Sequence, residues 1–249
     1  MEPIVFYDIP AREPACMAWS PNTWRTRYAL NYKGLSYKTE WVEYPDIEAL
    51  CKKIGAPPTE KKPDGSDHYT FPVIFDPNTQ RVVADSGAIA EYLDAAYPDT
   101  PKLFPSGTRA LQAAFHQLLR PSVMLHIRNS VLLRVCQNLR PRSQEYFRRT
   151  REEGIGRTLE QAGSEKDWPM LVRGLTLVKE CLDANGEEGN VLLMGDRICF
   201  ADIQLAAMLT WMRVSLGENS EQWRKLLSLH EGRWAQFMER FSKYQQVDF

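Results

Sequence analysis

Ser20 is the first residue of this chain whose position suggests chemistry, because it stands directly before Pro21 at the start of a helical pattern. Proline is tolerated in the first turn of a helix, and serine is favoured just before that turn. One interpretation is that the Ser20 hydroxyl caps the helix. The alternative is that the hydroxyl and the positive end of the helix together stabilise a bound anion.

Phe71-Pro72-Val73 opens a predicted strand, and the start of a strand is a position that proline tolerates. If the peptide bond before Pro72 is cis, Val73 can present its backbone N–H and C=O groups to an extended ligand. The motif therefore predicts a ligand-binding edge on the condition that the cis isomer is present.

Asp85 and Ser86 stand at a predicted strand-to-helix junction, where a helix cap is the simpler interpretation. Their alternative role is recognition of an α-amino acid. Ser86 and the helix-end amides would then bind the carboxylate, while Asp85 would hold the ammonium group.

The elements that must position these motifs alternate in type over residues 1–97. Apolar runs bounded by turn residues predict strands, and helical periodicity that stops at glycine predicts helices. The resulting order is β-α-β-α-β-β-α, with a parallel first pair of strands and a final antiparallel hairpin. Residues 56–68 are predicted to form a long polar loop. Predicted strands cover 4–7, 37–42, 71–75 and 81–84, and predicted helices cover 26–33, 46–54 and 86–97.

Residues 98–108 contain three prolines and are predicted to link this region to an all-helical region over 109–249. Pro121 is expected to bend or interrupt the long helix predicted for 111–139. Further helices are predicted over 143–153, 168–185, 200–216, 222–229 and 234–244.

Asp202 lies in the first turn of the predicted helix over 200–216, three residues after Cys199. We expect its carboxylate to bind back to the amide of Cys199, as in a capping box.

The composition excludes several classes of function. The chain has 249 residues and a formal net charge of −1, so it lacks the general positive charge that binding to nucleic acid requires. Hydrophobic residues make up 43% of the chain, which excludes wholesale disorder. No apolar stretch approaches the roughly 20 residues of a membrane span, and no basic signal-peptide region is present. The cytoplasm is the expected compartment.

The cysteines and histidines predict no metal site and no disulfide framework. The five cysteines form no Cys-x-x-Cys pair, and the four histidines lack metal-ligand spacing. Cys16 is a candidate reactive thiol, but no base lies beside it in the sequence, and an ordinary loop cysteine is the simpler interpretation. The arginine-rich stretch 140–157 predicts a solvated helix face or, alternatively, a rim for an anionic ligand.

Taken in this order, the motifs resemble those of the cytosolic glutathione transferases, and the resemblance covers essentially the full length. It is closest to the serine-type fungal enzymes related to bacterial aryl-ether-cleaving enzymes, the FuA-like class. The motifs that carry it are Ser20-Pro21 with Arg25, Phe71-Pro72-Val73, Asp85-Ser86, and the runs 19–24, 147–153 and 195–202. The resemblance implies a thioredoxin-like N-terminal domain over 1–97, a linker over 98–108 and an all-helical C-terminal domain over 109–249.

The resemblance also implies a role for individual residues. Ser20 matches the catalytic serine that hydrogen-bonds the sulfur of glutathione, which is bound as a substrate without a metal. The implied glutathione-binding residues are Ser20, Pro72, Val73, Asp85 and Ser86, with His68 or Lys62 as further candidates for the glycyl carboxylate. Trp19, Asn22, Trp24, Met124 and Ile127 are candidates for a pocket that holds an aromatic small molecule.

Elementary thiol chemistry then predicts the mechanism. A free thiol has a pKa of about 8.5, and lowering that pKa by two units requires roughly 2.7 kcal/mol of selective stabilisation of the thiolate. A hydrogen bond to a charged acceptor supplies about 1.5–3 kcal/mol, and a helix N-terminus about 0.3–1 kcal/mol. One serine hydroxyl on the first helix can therefore activate glutathione for attack on hydrophobic aromatic electrophiles.

Other functions on the same scaffold stay open. The chain could carry aromatic small molecules without catalysis, cleave aryl ethers, reduce peroxides, or serve as an interaction module. Asn22 and Cys16 are alternative catalytic residues if Ser20 is not used. A homodimer is expected from the resemblance alone.

Overall fold

A four-stranded mixed sheet forms the centre of the N-terminal region in the computed structural model, which describes residues 1–186 and 190–248. The strands of this region are β1 (Ile4–Asp8), β2 (Tyr37–Trp41), β3 (Glu60–Lys61), β4 (Asp67–His68), β5 (Val73–Asp76) and β6 (Arg81–Ala84). The sheet has the order β2-β1-β5-β6. β1 and β2 are parallel, whereas β5 is antiparallel to both of its neighbours. The predicted parallel first pair and the predicted final antiparallel hairpin are therefore confirmed.

Three helices accompany this sheet: α1 (Pro21–Lys33), α2 (Ile47–Ile54) and α3 (Ser86–Ala96). The first turn of α1 is rich in polar residues, which explains why apolar periodicity predicted this helix only from residue 26. Gly34 and Gly55 end α1 and α2 in the left-handed conformation, with φ of 66° and 74°, as the sequence predicted.

Residues 56–68 correct one prediction, because they contain a short hairpin and not an unstructured loop. β3 and β4 pair antiparallel, with Glu60 opposite His68. The Lys61 and Asp67 side chains form an ion pair at 2.6 Å across the hairpin. Asp64 accepts a hydrogen bond from the Ser66 amide at 2.9 Å and closes the turn. The polar, proline-containing sequence lacks the apolar alternation that predicts a strand.

The C-terminal region is helical. Its helices are α4 (Arg109–Leu119), α5 (Leu125–Asn138), α6 (Pro141–Ile155), α7 (Asp167–Asp183), α8 (Phe200–Leu216) and α9 (Glu221–Glu239). Pro121 lies in a π-helical stretch, Arg120–Met124, that joins α4 to α5, so the predicted interruption is confirmed. Non-helical residues between Leu229 and Gly232 divide α9, as the two separately predicted helices indicated. α8 is buried over most of its length and packs against α1, α4, α5 and α9.

The N-terminal cap of α8 forms as predicted. Asp202 accepts a hydrogen bond from the Cys199 amide at 2.9 Å and another from the Leu193 amide at 2.8 Å. Burial raises the pKa of Asp202 to about 6, while these two hydrogen bonds act in the opposite direction.

Arg27 connects several of these elements from a fully buried position on α1. Its guanidinium lies 2.7 Å from the carboxylate of Asp8, which is also fully buried. It donates further hydrogen bonds to the Tyr37 hydroxyl at 3.2 Å, to the Thr39 hydroxyl at 3.1 Å and to the carbonyl of Val247. One side chain thus joins the end of β1, α1, β2 and the end of the chain.

The C-terminal tail lies against α1 and the free edge of β2. The Asn31 side chain donates to the carbonyls of Tyr244 and Gln246 at 2.7 and 2.9 Å. The Thr39 amide, on the edge strand, donates to the Asp248 carboxylate at 2.8 Å. The tail therefore satisfies polar groups that would otherwise face solvent at a sheet edge. Within the described ranges, no helix is long and apolar enough to cross a membrane.

In a chain shortened to end at Gln245, the free energy of unfolding is expected to fall by about 2 kcal/mol. The reason is that Arg27 loses the Val247 carbonyl and the Thr39 amide loses the Asp248 carboxylate as acceptors. Urea denaturation measures this difference. Val247→Ala is the matched control, since it keeps the carbonyl that accepts from Arg27, and its stability should change little. Equal stability of the full and shortened chains would contradict a structural role for the tail.

Candidate functional site

Ser20 lies at the start of α1, where the structure decides against a simple cap. Its backbone is extended, with φ of −68° and ψ of 129°, and within the described chain its side chain makes no capping hydrogen bond. The Ser20 carbonyl instead accepts from the Thr23 hydroxyl at 3.1 Å and from the Trp24 amide at 3.0 Å. The hydroxyl is therefore held at the positive end of a helix without being used by that helix.

The segment Phe71–Pro72 contains a cis peptide bond, and it enters the interior strand β5. Val73 lies opposite Tyr7 of β1 and Ala84 of β6. The amide of Asp85 donates to the Pro72 carbonyl at 3.2 Å. In an antiparallel ladder a bond at this position lies beside a pair that exchanges no hydrogen bonds, so Val73 and Ala84 form such a pair. The backbone groups of Val73 therefore point towards β1 and not outwards to a ligand.

Phe71 replaces Val73 as the residue whose backbone can face a ligand. It lies two residues earlier, so its N–H and C=O point to the same side as those of Val73, beyond the last pair of the β1–β5 ladder. In the described chain, neither group has a backbone partner. The sequence signal for Phe71 was the proline that follows it. A proline at the start of a strand marks where the ladder of the sheet ends, and a ligand can pair only with backbone beyond that end.

Asp85 and Ser86 lie at the N-terminus of α3, as predicted. The Asp85 carboxylate accepts from the amides of Gly87 and Ala88 at 2.8 and 3.0 Å, so the cap interpretation is confirmed for Asp85. Asp85 has a φ of 77°, in the left-handed region where an L-residue is strained. Strained backbone of this kind occurs at ligand sites, where the surrounding fold maintains it. Ser86 is buried as the first residue of the helix.

Arg25 is the main residue of this region to which the sequence assigned no role. Arg25 is buried, with 8% of its surface exposed, and its Nε atom has no hydrogen-bond partner within the described chain. Among the described residues, the one hydrogen-bond partner of its terminal nitrogens is the Met124 sulfur, at 3.8 Å. Burial lowers the pKa of Arg25 to about 10, the Asp85 carboxylate raises it, and Arg120 lowers it again. A buried cation without an anionic partner is costly, which favours an anionic ligand beside it.

His116 extends this region into the helical half. Its Nδ1 atom is buried without a partner among the described residues. Burial lowers the pKa of His116, and the charges of Arg25 and Arg120 lower it further. Three basic side chains from α1, α4 and the π-helical stretch therefore meet near the N-terminus of α3.

The candidates for an aromatic-ligand pocket have different positions. Asn22 is exposed, and Met124 is half-buried against Arg25 at the boundary between the N-terminal and the helical region, which we term the cleft. Both side chains can therefore be reached by a ligand. Trp24 and Ile127 are core residues: Trp24 packs against Tyr28 at 4.9 Å, and Ile127 is fully buried. These two side chains cannot contact a ligand without moving, so that part of the prediction is corrected.

Trp19 is buried but borders the cleft. Its ring meets Phe147 of α6 edge-on at 6.3 Å and lies 6.4 Å from Tyr44. Its Nε1 atom has no partner within the described chain. Tyr44 and Phe147 were not predicted as pocket residues from the sequence, because they come from two regions that only the tertiary fold brings together.

The remaining candidates have other partners. His68 is half-buried on β4, with Nδ1 3.9 Å from the Glu60 carboxylate. Lys62 forms an ion pair with Glu48 of α2 at 3.1 Å. The Cys16 thiol is half-buried and donates to the Val214 carbonyl at 3.8 Å, away from the α3 N-terminus. A role for His68 or Lys62 at the glycyl end of a ligand stays a prediction.

Comparison with known proteins gives matches over both regions. The family models described as glutathione S-transferase N-terminal domain and C-terminal domain match residues 19–96 and 110–244. A curated relative, the glutathione S-transferase-like protein ustS of Aspergillus flavus, is 32% identical over 92% of this chain and 86% of its own length.

Solved structures are similar over the whole chain. Glutathione transferase GSTFuA3 from Phanerochaete chrysosporium is 65% identical, with a TM-score of 0.98 and complete coverage of both chains. The glutathione S-transferase CsGST63524 of Ceriporiopsis subvermispora, solved in complex with glutathione, is 44% identical, with a TM-score of 0.94 and 99% coverage of each chain.

The strain at Asp85 can be separated from its capping role. Asp85→Ala is expected to lower the free energy of unfolding by about 0.5–2 kcal/mol, because it loses the cap and keeps the Cβ that Asp85 already places at positive φ. Asp85→Gly loses the same cap but tolerates the backbone, so it should recover about 1 kcal/mol of that loss. Urea unfolding of both variants measures the difference. Equal losses would show that the backbone of Asp85 stores no strain.

Proposed function

Because the chain belongs to the glutathione S-transferase family, we propose that it uses Ser20 to activate the thiol of glutathione for attack on hydrophobic aromatic electrophiles. The observation that carries this proposal is the buried Ser20 hydroxyl, which lies at the N-terminus of α1 and is not used as a helix cap. A hydroxyl in this position can donate to a thiolate, and the helix end adds favourable electrostatics.

The rest of the site supports one orientation of the tripeptide. The cysteinyl backbone would pair with Phe71, whose backbone groups extend beyond the sheet ladder. The γ-glutamyl end would lie at the N-terminus of α3, with its carboxylate near Ser86 and Arg25 and its ammonium group near Asp85. Pro72 fixes the turn between these two contacts. The sulfur would then point towards Ser20.

The Asp85 carboxylate can bind the ligand in this orientation while it still caps α3. Both helix amides bond to the same oxygen, Oδ1, which leaves the second oxygen to accept from an ammonium group. Arg25 would neutralise the α-carboxylate of the ligand, which explains how a nearly unpartnered buried guanidinium can be tolerated.

A second candidate function is a non-catalytic carrier of aromatic small molecules, favoured by the aromatic side chains of Trp19, Tyr44 and Phe147 beside Ser20. Aryl-ether cleavage or peroxide reduction would use the same thiolate. A homodimer and a cytosolic location, both expected of the family, are proposed on the same basis.

Ser20→Ala is expected to raise the pKa of bound glutathione from about 6.5 towards its solution value of about 8.5, because the thiolate loses its hydrogen-bond donor. Near-ultraviolet thiolate absorbance of the complex, followed against pH, measures this pKa. Turnover at neutral pH should fall by roughly 30-fold or more. Ser20→Thr is the matched control, because it keeps a hydroxyl. An unchanged pKa with unchanged turnover in Ser20→Ala would move catalysis to Asn22 or Cys16.

Arg25→Gln is expected to weaken glutathione binding by about tenfold or more, with a smaller effect on the thiol pKa. Calorimetry with a glutathione analogue that lacks the γ-glutamyl α-carboxylate tests the contact directly. The wild type should discriminate strongly between glutathione and this analogue, whereas Arg25→Gln should bind them almost equally. Arg81→Gln, on the exposed start of β6, is the control. Full discrimination in Arg25→Gln would place the carboxylate elsewhere.

A further inference from the structure

The arginines of α6 divide into two groups that the sequence could not distinguish. Arg142, Arg148 and Arg149 form ion pairs with Asp46 at 2.8 Å, Glu160 at 2.9 Å and Glu153 at 3.6 Å. Arg151 forms no ion pair within the described chain. Its guanidinium lies over the rings of Phe147 at 4.8 Å and Tyr44 at 5.8 Å. Arg151 is therefore directed at an aromatic cluster between the two halves of the molecule.

Arg128 of α5 is a second unneutralised cation beside Arg151. Its Nε atom is buried without a partner among the described residues, and its terminal nitrogen contacts only the Asn129 amide oxygen at 3.4 Å. Burial lowers the pKa of Arg128, and the charges of Arg151 and Arg157 lower it further. The Asp167 carboxylate opposes this effect from a distance.

Asp167 is not available as an ion-pair partner for Arg128. Its two oxygens accept hydrogen bonds from His126 at 2.9 Å, from the Asn129 side chain at 3.0 Å and from the Ser164 amide at 2.8 Å. The charges of Arg128 and Arg151 consequently lack a local anion in the part of the chain that the structure describes.

The helical repeat places Arg128 on the side of α5 that faces the cleft. Arg128 follows Met124 by four residues, so both share one helix face, and Met124 contacts Arg25 of α1. Arg120 lies eight residues before Arg128, at the start of the π-helical stretch and about two helical turns away from Arg128. The Arg128–Arg151 pair is therefore separate from the cations near the N-terminus of α3.

The rings beside Arg151 form a cluster that begins next to Ser20, with Trp19 and Phe147 buried at its base and Tyr44 and Tyr146 partly exposed. Trp19 meets Phe147, and Tyr44 stacks on Tyr146 with centroids 5.6 Å apart and an interplanar angle of 13°. A flat aromatic ligand can pack against the partly exposed rings of Tyr44 and Tyr146. Cations beside these two rings would bind an anionic substituent of that ligand.

We propose that the cleft takes an aromatic ligand that carries an anionic group, a carboxylate or phenolate, and that Arg128 and Arg151 bind this group. The inference rests on the proposed function in that the ligand lies beside the glutathione sulfur. On this inference, Arg151 of the arginine-rich segment selects ligands that carry a negative charge. The ion-paired arginines of the same helix form a solvated face.

The test compares two probes of similar shape, 2-naphthoate and 2-naphthamide, by calorimetry on full-length protein saturated with S-methylglutathione. The wild type is expected to bind the carboxylate about tenfold more tightly than the amide. Arg128→Gln and Arg151→Gln should each bind the two probes within about twofold of one another. Arg149→Gln removes an arginine of the same helix that is already ion-paired, and it should keep the full preference.

Each other outcome has a definite meaning. No preference in the wild type, or a preference that survives both Arg128→Gln and Arg151→Gln, would overturn the inference. If these variants lose affinity for S-methylglutathione and not for naphthoate, the cations hold the glycyl carboxylate and the inference is wrong. Absence of turnover in the wild type would overturn the proposed function while leaving the binding preference intact.

Discussion

The buried ion pair between Arg27 and Asp8 is the interaction on which the arrangement of the N-terminal region depends. Both side chains are fully buried, and removing either partner would leave an uncompensated charge at a cost of about 3–5 kcal/mol. Burial raises the pKa of Asp8, whereas the charge of Arg27 and hydrogen bonds from Thr23 and from the Ile9 amide lower it, so Arg27 is the countercharge of a carboxylate that is also hydrogen-bonded. The pair joins the end of β1 to α1, with the Phe6 ring 4.9 Å from the guanidinium. The orientation of α1, and with it the position of Ser20, follows from that connection.

A helix fixed in this way brings two positive helix ends into one cleft. The N-terminus of α1 carries Ser20, and the N-terminus of α3 carries Ser86 behind the strained Asp85. The sheet register then fixes the third contact, because the β1–β5 ladder ends at Val73 and leaves Phe71 beyond it. These three positions come from separate segments, and each depends on a backbone feature more than on side-chain identity. A thiol-containing tripeptide suits this arrangement because its backbone, its sulfur and its amino-acid end can be held by different elements.

The sequence predicted the parts of this arrangement that are local. The final hairpin, the helix ends at glycine, the interruption at Pro121 and the Asp202 cap all follow from chemistry within a few residues. It failed where the outcome depends on distant partners. The backbone direction of Val73 is set by its register against Tyr7, and the hairpin in residues 56–68 is held by cross-strand pairs that show no apolar alternation. Trp24 and Ile127 have the residue types of a ligand pocket, but tertiary packing places them in the core.

Arg25 and Arg27 show why such outcomes cannot be read from residue type. They lie two positions apart on α1, so a rotation of about 200° directs their side chains to different sides of the helix. Arg27 meets a carboxylate, two hydroxyls and a carbonyl inside the protein. Arg25 instead contacts a methionine sulfur, and the charges of Asp85 and Arg120 act on it without an ion pair in the described chain. The fold thus neutralises one charge itself and leaves the other without an ion pair in the described chain. In the proposed complex, a ligand carboxylate that neutralised Arg25 would relieve the cost of that unpaired charge and would so add to ligand affinity.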